Sequence, residues 1–384
     1  MNQQIDSYPG DVTFGCDPEF FFTKGGKVIG SEKVLSQGGK EIVSPRISSS
    51  NLGEKSGEEF SAFVLDGVQC ELNPRAHRCR QALGLEIAHA FLRLREHLNK
   101  TEGGVTACFA QTINISKKEL DSLSESSRQF GCMPSRNLYD MGAKVTVDPA
   151  KYLKRSAGGH IHIGLKEYPP LMANRERLIP LMDCLVGLPS VLIDRDPGNK
   201  ERRKHYGRAG EYRLPDHGIE YRTLSNFWLR SYQLMGFVMG MTKLSLSVLN
   251  TTLQPPSYNW DAEGTLLSTI DMEKVVKAIN TNDLELAKKI YPSIREFIHT
   301  YVSSECAGSF ALAGGKGDEL TNFDFFIKKI EEQGLDYWFP EDPMDHWCDL
   351  TKNKGMDFSR NVSGWETFLS KTVYDRRIKE QVGG

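Results

Sequence analysis

Residues 158–164 read Gly158-Gly159-His160-Ile161-His162-Ile163-Gly164, an alternation of imidazole and isoleucine with glycines on either side. In a strand, successive side chains point to opposite faces, so the two histidines share one face and the two isoleucines the other. The paired glycines give the strand a flexible entry. One face is suited to a core and the other to chemistry.

Three more predicted strands repeat this period of two. Asp17 and Glu19 lie in the run Val12–Phe22, Glu71 and Asn73 in Phe63–Pro74, and Glu220 and Arg222 in Glu220–Leu224. Their neighbours Phe20, Leu72, Ile219 and Tyr221 are apolar or aromatic. Asp66 precedes Glu71 across a turn expected at Gly67. A single such pair is ordinarily the solvated side of a half-buried strand. Four pairs, the first three dominated by acids and histidine, describe a site. Carboxylate oxygens suit magnesium or manganese, and imidazole suits manganese or zinc better than calcium. Acids crowded on one sheet repel each other, and cations relieve that repulsion.

Opposite charge gathers around the last pair. Arg202, Arg203, Lys204, Arg208 and Arg213 precede Glu220, and Arg222 follows it. Gly207, Gly210 and Gly218 let the backbone approach a ligand. Guanidinium forks match phosphate and carboxylate oxygens. Metals on one side and arginines on the other is what phosphoryl transfer requires. The plainer reading of the run is a solvated basic loop. His205 and His217 flank it, as acid–base candidates or as ordinary loop residues.

The rest of the chain sets bounds. Its 384 residues carry 48 basic and 50 acidic side chains, interspersed, for a net charge of −2. Nucleic-acid binding through bulk charge is therefore not indicated. No window reaches the roughly 20 apolar residues of a membrane helix, and residues 1–11 do not resemble a signal peptide. The eight cysteines form no C-x-x-C pair and read as reduced thiols of a cytoplasmic protein. Cys70, Cys79, Cys108 and Cys132 match no zinc spacing. Ala313-Gly314-Gly315-Lys316-Gly317 lacks the spacing of a nucleotide loop and is expected to be a turn.

Helical periodicity predicts a helix over 80–98, a divided one over 171–193 broken at Pro180 and Pro189, and a long apolar one over 229–253 ended by Pro255-Pro256. Residues 116–157 read mostly as loop, with a short helix at 116–126. Helices are then expected at 272–280, 283–290, 292–303, 322–333 and 365–381. The expectation is an α+β catalytic body over 1–255, with a helical C-terminal region over 256–384 that is separate or part of the same domain.

In combination these residues carry a resemblance. Gly15-Cys16-Asp17-Pro18-Glu19-Phe20, Asp66-Gly67 with Glu71-Leu72-Asn73-Pro74, Phe130-Gly131-Cys132, Gly158 through His162, Tyr206-Gly207, Gly210 through Arg213, and Glu220-Tyr221-Arg222 appear in order. Over about residues 12–230 the chain resembles a phage-type carboxylate–amine ligase, an amidoligase whose catalytic sheet is similar to those of glutamine synthetase and glutamate–cysteine ligase. The resemblance implies a curved, mostly antiparallel sheet flanked by helices, with ATP and magnesium or manganese as cofactors. It implies carboxylate and amine substrates. It places metal ligation on Asp17, Glu19, Asp66, Glu71, His160 or His162, and Glu220. Phosphate or substrate contacts fall to Arg222 and Arg213, with Arg202 and Tyr206 beside the nucleotide. Glutamate–cysteine ligases tend to have glutamate at both positions of the first pair. The shorter Asp17 therefore makes Glu19 the firmer expectation for direct ligation. The rival expectations are a guanidino kinase on a similar sheet, a hydrolase built on His160 and His162, and a non-catalytic protein. Oligomeric state is left open.

Overall fold

The protein is described by a computed structural model at residues 12–37, 40–41, 62–77, 80–101, 103–130, 135–139, 148–149, 151–194, 196–253, 260–303 and 342–348. The expected helices at 322–333 and 365–381, the turn at 313–317, the Pro255-Pro256 stop, Cys79 and Cys132 lie outside these residues.

Among the described residues, fourteen strands form in chain order: β1 Thr13–Cys16, β2 Glu19–Lys24, β3 Lys27–Ile29, β4 Ser36–Gln37, β5 Lys40–Glu41, β6 Ala62–Asp66, β7 Gln69–Asn73, β8 Val105–Cys108, β9 Thr112–Asn114, β10 Arg136–Asn137, β11 Lys154–Ser156, β12 Ile161–Gly164, β13 Glu211–Arg213 and β14 Gly218–Tyr221. Every pairing between them is antiparallel. One sheet runs β1-β12-β14-β13-β10, and a second runs β3-β2-β7-β6 with β8 on the other edge of β2. With the helices around them, these sheets make an α+β fold.

Asp17-Pro18 is the seam between the sheets. Proline has no N–H to continue a ladder, so the chain breaks pairing there. Backbone bonds carry the order across the break: Glu19 N donates to Gly158 O at 2.9 Å, and Leu72 N donates to Pro18 O at 2.9 Å. Phe14 and His77 exchange both backbone bonds, at 2.7 and 2.8 Å. The bent segment β1–β2 thus has the β12 segment on one side and the β7 segment on the other, and the two sheets curl as one surface. The turn expected at Gly67 forms with φ of 63°, and a side chain there would run into the carbonyl of Gln129.

The apolar face of this surface carries Phe14, Phe20, Phe22, Ile161, Ile163, Ile219 and Tyr221, all buried. Phe20 packs against Phe22, Phe63, Phe91 and Phe109 with ring centroids 5.4–6.0 Å apart. Phe91 belongs to the helix Arg80–Lys100. The helix Tyr232–Leu253 is buried almost throughout and is core, as its composition predicts.

The expected helix over 171–193 is instead a series: Pro169–Ala173, a tight turn at Arg175–Arg177, Leu178–Met182, a widened π turn at Asp183–Gly187, and Leu188–Ile193. The prolines alone do not explain this. Asp183 in the π turn is buried and accepts the Tyr221 hydroxyl at 2.6 Å, a bond to the sheet that the local pattern does not reveal. The predicted pair 283–290 and 292–303 is one helix, Leu284–Ser303, with Pro292 inside it. Burial of Ile294, Phe297, Ile298 and Tyr301 holds its face in place despite the lost hydrogen bond. The helix over 116–126 divides into Lys117–Asp121 and Glu125–Arg128. Strands β10 and β11 occur where loop was expected; only pairing with β13 and β9 defines them. The helices after residue 260 share one core with the sheet and the long helix. Among the described residues, no helix is long and apolar enough to cross a membrane.

Candidate active site

The polar face of the curled surface brings six of the seven expected ligands into two groups. Asp17, His162 and Glu220 form one, and Glu19, Asp66 and Glu71 the other; within each, one ligand atom from every residue lies within 4.8 Å of the rest. Register explains the pairing. His162 sits opposite Glu220 on β14, and Gly15 opposite His162 on β1. Glu19 sits opposite Glu71. The Asp17-Pro18 break sends Asp17 to the first group and Glu19 to the second, although they are two residues apart.

His160 is brought to the first group without joining it. Its Nδ1 lies 2.9 Å from Asp17 Oδ1 and 3.5 Å from Glu220 Oε1, and both ring nitrogens are buried without an aligned hydrogen bond. His162 Nε2 lies 3.2 Å from Asp17 Oδ2. Of the two histidines, it is His162 whose ring nitrogen is grouped with ligand atoms of Asp17 and Glu220.

The charges are out of balance. Burial, then Asp17 and Asp66, push the Glu71 carboxyl up to about 8. Burial foremost, with Asp17, pushes Glu220 up to about 7. Glu19 is raised by burial and by Asp66 and Glu71, and Asp66 by burial and Asp17. Burial also disfavours ionised Asp17, but the imidazoles beside it outweigh this and hold its carboxyl below the usual range. Burial and the Arg222 and Arg202 charges lower His160 to about 4, against the pull of Asp17. Burial would lower His162 too, but Asp17 and Glu220 raise it. Raised carboxyls are the mark of crowded like charges, which bound cations can balance. Glu19 Oε1, Asp66 Oδ2 and Glu220 Oε1 are buried without an aligned hydrogen bond. Buried acceptors left bare are costly, and an all-oxygen set with one imidazole is the donor chemistry of magnesium or manganese. The residues fit such ions.

The arginine side is ordered rather than a solvated loop. Arg202 and Arg203 lie on the helix Gly198–His205 and are buried. Arg202 donates to the carbonyls of Thr223 at 3.1 Å and Leu224 at 2.6 Å. It supports the strand end and stacks beneath Tyr206, with 4.9 Å from its carbon to the ring centre. Arg222 lies over the same ring at 5.2 Å and donates to the Tyr206 hydroxyl at 3.1 Å. Its Nε and Nη1 are buried without hydrogen bonds, with Nε 3.5 Å from Glu220 Oε1. Arg213, half-exposed, has its Nε 3.6 Å from Glu220 Oε2. Glu220 thus joins the acidic groups to the guanidinium side.

Some of the support was not legible in sequence. Gly158 N donates to Glu19 Oε2 at 2.7 Å, and the Asn226 side chain donates to the Glu19 carbonyl at 2.9 Å. Asn226 has no local signal: it follows the strand end by fold alone. Asn73 donates to Glu71 Oε1 at 2.9 Å. His217, one of the two flanking histidines, reaches His162, whereas His205 packs on Tyr152.

Residues 142–261 match the family model described as Phage phiEco32-like COOH.NH2 ligase-type 2. The match spans His160, His162, Arg202, Tyr206, Arg213, Glu220 and Arg222 and does not include Asp17, Glu19, Asp66 or Glu71. Over this stretch the chain is similar to phage-type ligases that join a carboxylate to an amine. No curated protein matches the chain.

Proposed function

We propose that the protein is an ATP-dependent carboxylate–amine ligase working through an acyl phosphate on a glutamine-synthetase-like sheet. The observation that carries this reading is Glu220, shared between a carboxylate–imidazole group and two arginines. Asp17, His162 and Glu220 would hold one divalent ion, and Glu19, Asp66 and Glu71 another. Bound there, such ions would supply positive charge to the phosphate oxygens.

Arg222 presents two unsatisfied nitrogens toward the site, and Tyr206 fixes the plane of its guanidinium. Arg213 adds a second, half-exposed positive charge beside Glu220. Together they stabilise negative charge developing on the transferred group. A carboxylate oxygen of the first substrate attacks the γ-phosphorus of ATP, and the bond to the β-phosphate oxygen breaks, releasing ADP. The amine nitrogen then attacks the acyl carbon, phosphate leaves, and the amine proton passes to solvent or base. Activation is needed because a free carboxylate is a poor electrophile. A histidine-built hydrolase fits less well: one group holds a single histidine and the other none.

Calorimetry of ATP binding, with magnesium or manganese present and absent, tests the reading. Metal-dependent binding in the wild type and its loss in Glu220→Ala are expected. ATP binding that is absent in a folded wild type with either metal would overturn it.

A further inference from the structure

His217 stands at the tip of the turn before β14, exposed to solvent. The turn is pinned on both sides: Leu165 N donates to the His217 carbonyl at 2.7 Å, and Gly218 N donates to Pro215 O at 3.0 Å. Gly218 lies against β12 so closely that a side chain would meet the Ile163 carbonyl. The backbone therefore holds His217 beside β12, within reach of His162. Its Nε2 lies 3.3 Å from His162 Nδ1, with ring centroids 5.4 Å apart.

His162 is used on both edges. Its Nε2 points inward to Asp17, and its Nδ1 points outward to His217. An imidazole nitrogen can bind a metal only through its lone pair. If Nε2 is the ligand, the ring proton must reside on Nδ1 and needs an acceptor. His217 Nε2 is placed to accept it. A metal-bound imidazole commonly has such an acceptor on its other nitrogen, which fixes tautomer and ring orientation.

We propose that His217 is a positioning residue that selects the Nδ1–H tautomer of His162 and thereby sets the affinity of the Asp17–His162–Glu220 group for a divalent cation. The inference rests on the metal-binding reading above. It assigns to an exposed turn residue control over one of two neighbouring groups and leaves Glu19, Asp66 and Glu71 untouched.

The test is manganese binding to the full chain, followed by the electron paramagnetic resonance of free manganese, for wild type, Glu220→Ala, His217→Ala and His217→Gln. Wild type is expected to show two classes of site, one of them lost in Glu220→Ala. His217→Ala should weaken that same class about 10- to 100-fold and leave the other unchanged. His217→Gln should restore it, because the amide oxygen can accept the Nδ1–H. Nitrogen-15 histidine spectra with magnesium bound should show His162 as the Nδ1–H tautomer in wild type and a mixture in His217→Ala. Equal affinity of His217→Ala and wild type, with Glu220→Ala impaired, would overturn the role of His217 alone. A glutamine variant as weak as the alanine variant would do the same. Wild type without manganese binding would overturn the metal reading and this inference with it.

Discussion

Gly159 has no room for a side chain. A Cβ there would come within 2.5 Å of both the Ser225 carbonyl and the Trp228 indole nitrogen. That nitrogen already donates to the Gly159 carbonyl at 3.1 Å, and Gly159 N donates to Leu224 O at 3.1 Å. The glycine that reads as a flexible entry in sequence is therefore a close approach between the start of the histidine strand and the end of the arginine strand. Gly159→Ala is expected to cost about 1–3 kcal/mol, read from the urea midpoint. A variant as stable as wild type would show that these strand ends can part freely. At the same scale, the alternation around His160, Glu220 and their neighbours was fully legible, because a two-residue period is a local property of a strand. The partners of each side chain were not.

The far end of the described chain is tied in by a short helix, Pro343–Cys348. Trp347 is wholly buried, donates to the Leu229 carbonyl at 2.6 Å, and packs its ring 5.9 Å from both Phe91 and Tyr232. It thus fastens this helix to Arg80–Lys100 and to the start of the long helix, behind the sheet face that bears Phe20. Trp347→Ala is expected to cost about 3–5 kcal/mol by denaturant unfolding. A loss within experimental error would mean the helix is dispensable to the core. Sequence periodicity found the long helices because their apolar stripes are strong. It missed Gly198–His205, whose composition is polar throughout and whose buried arginines donate to distant carbonyls, Arg202 to Thr223 just past β14 and Arg203 to Ile279 in the helix Met272–Thr281. It likewise divided Leu284–Ser303 at a proline that packing tolerates.

Across the whole molecule, the carboxylates of the site make stability depend on pH and cations together. Glu71 titrates near 8 and Glu220 near 7 in the fold, and His162 is raised. Between pH 6.5 and 8 the folded protein therefore binds more protons than the unfolded chain, and stability must fall as pH rises. His160, lowered to about 4, acts with the opposite sign, but only below about 6.5, the ordinary histidine value. Magnesium held by the ionised groups, as proposed above, would stabilise the folded state. Thermal melts in chelator should decline from pH 6.5 to 8, and the gain from magnesium should grow over the same range. A chelated protein whose melting temperature rises through this window would contradict the assignment of these groups as buried, proton-sharing ligands.

Four polar pairs with a period of two, and an arginine run beside the last of them, were enough to mark a sheet with one chemical face. The family match over residues 142–261 agrees with the resemblance drawn from the later motifs. These features are legible because strand alternation and residue chemistry are local. Only the tertiary structure decided that Asp17 and Glu19 part company at Pro18, that His162 gathers with Asp17 and Glu220, and that Arg202 donates to the carbonyls after β14 while Arg222 lies beside Glu220. Each of these depends on sheet order and register between segments up to some two hundred residues apart, and no local pattern encodes which strand lies beside which.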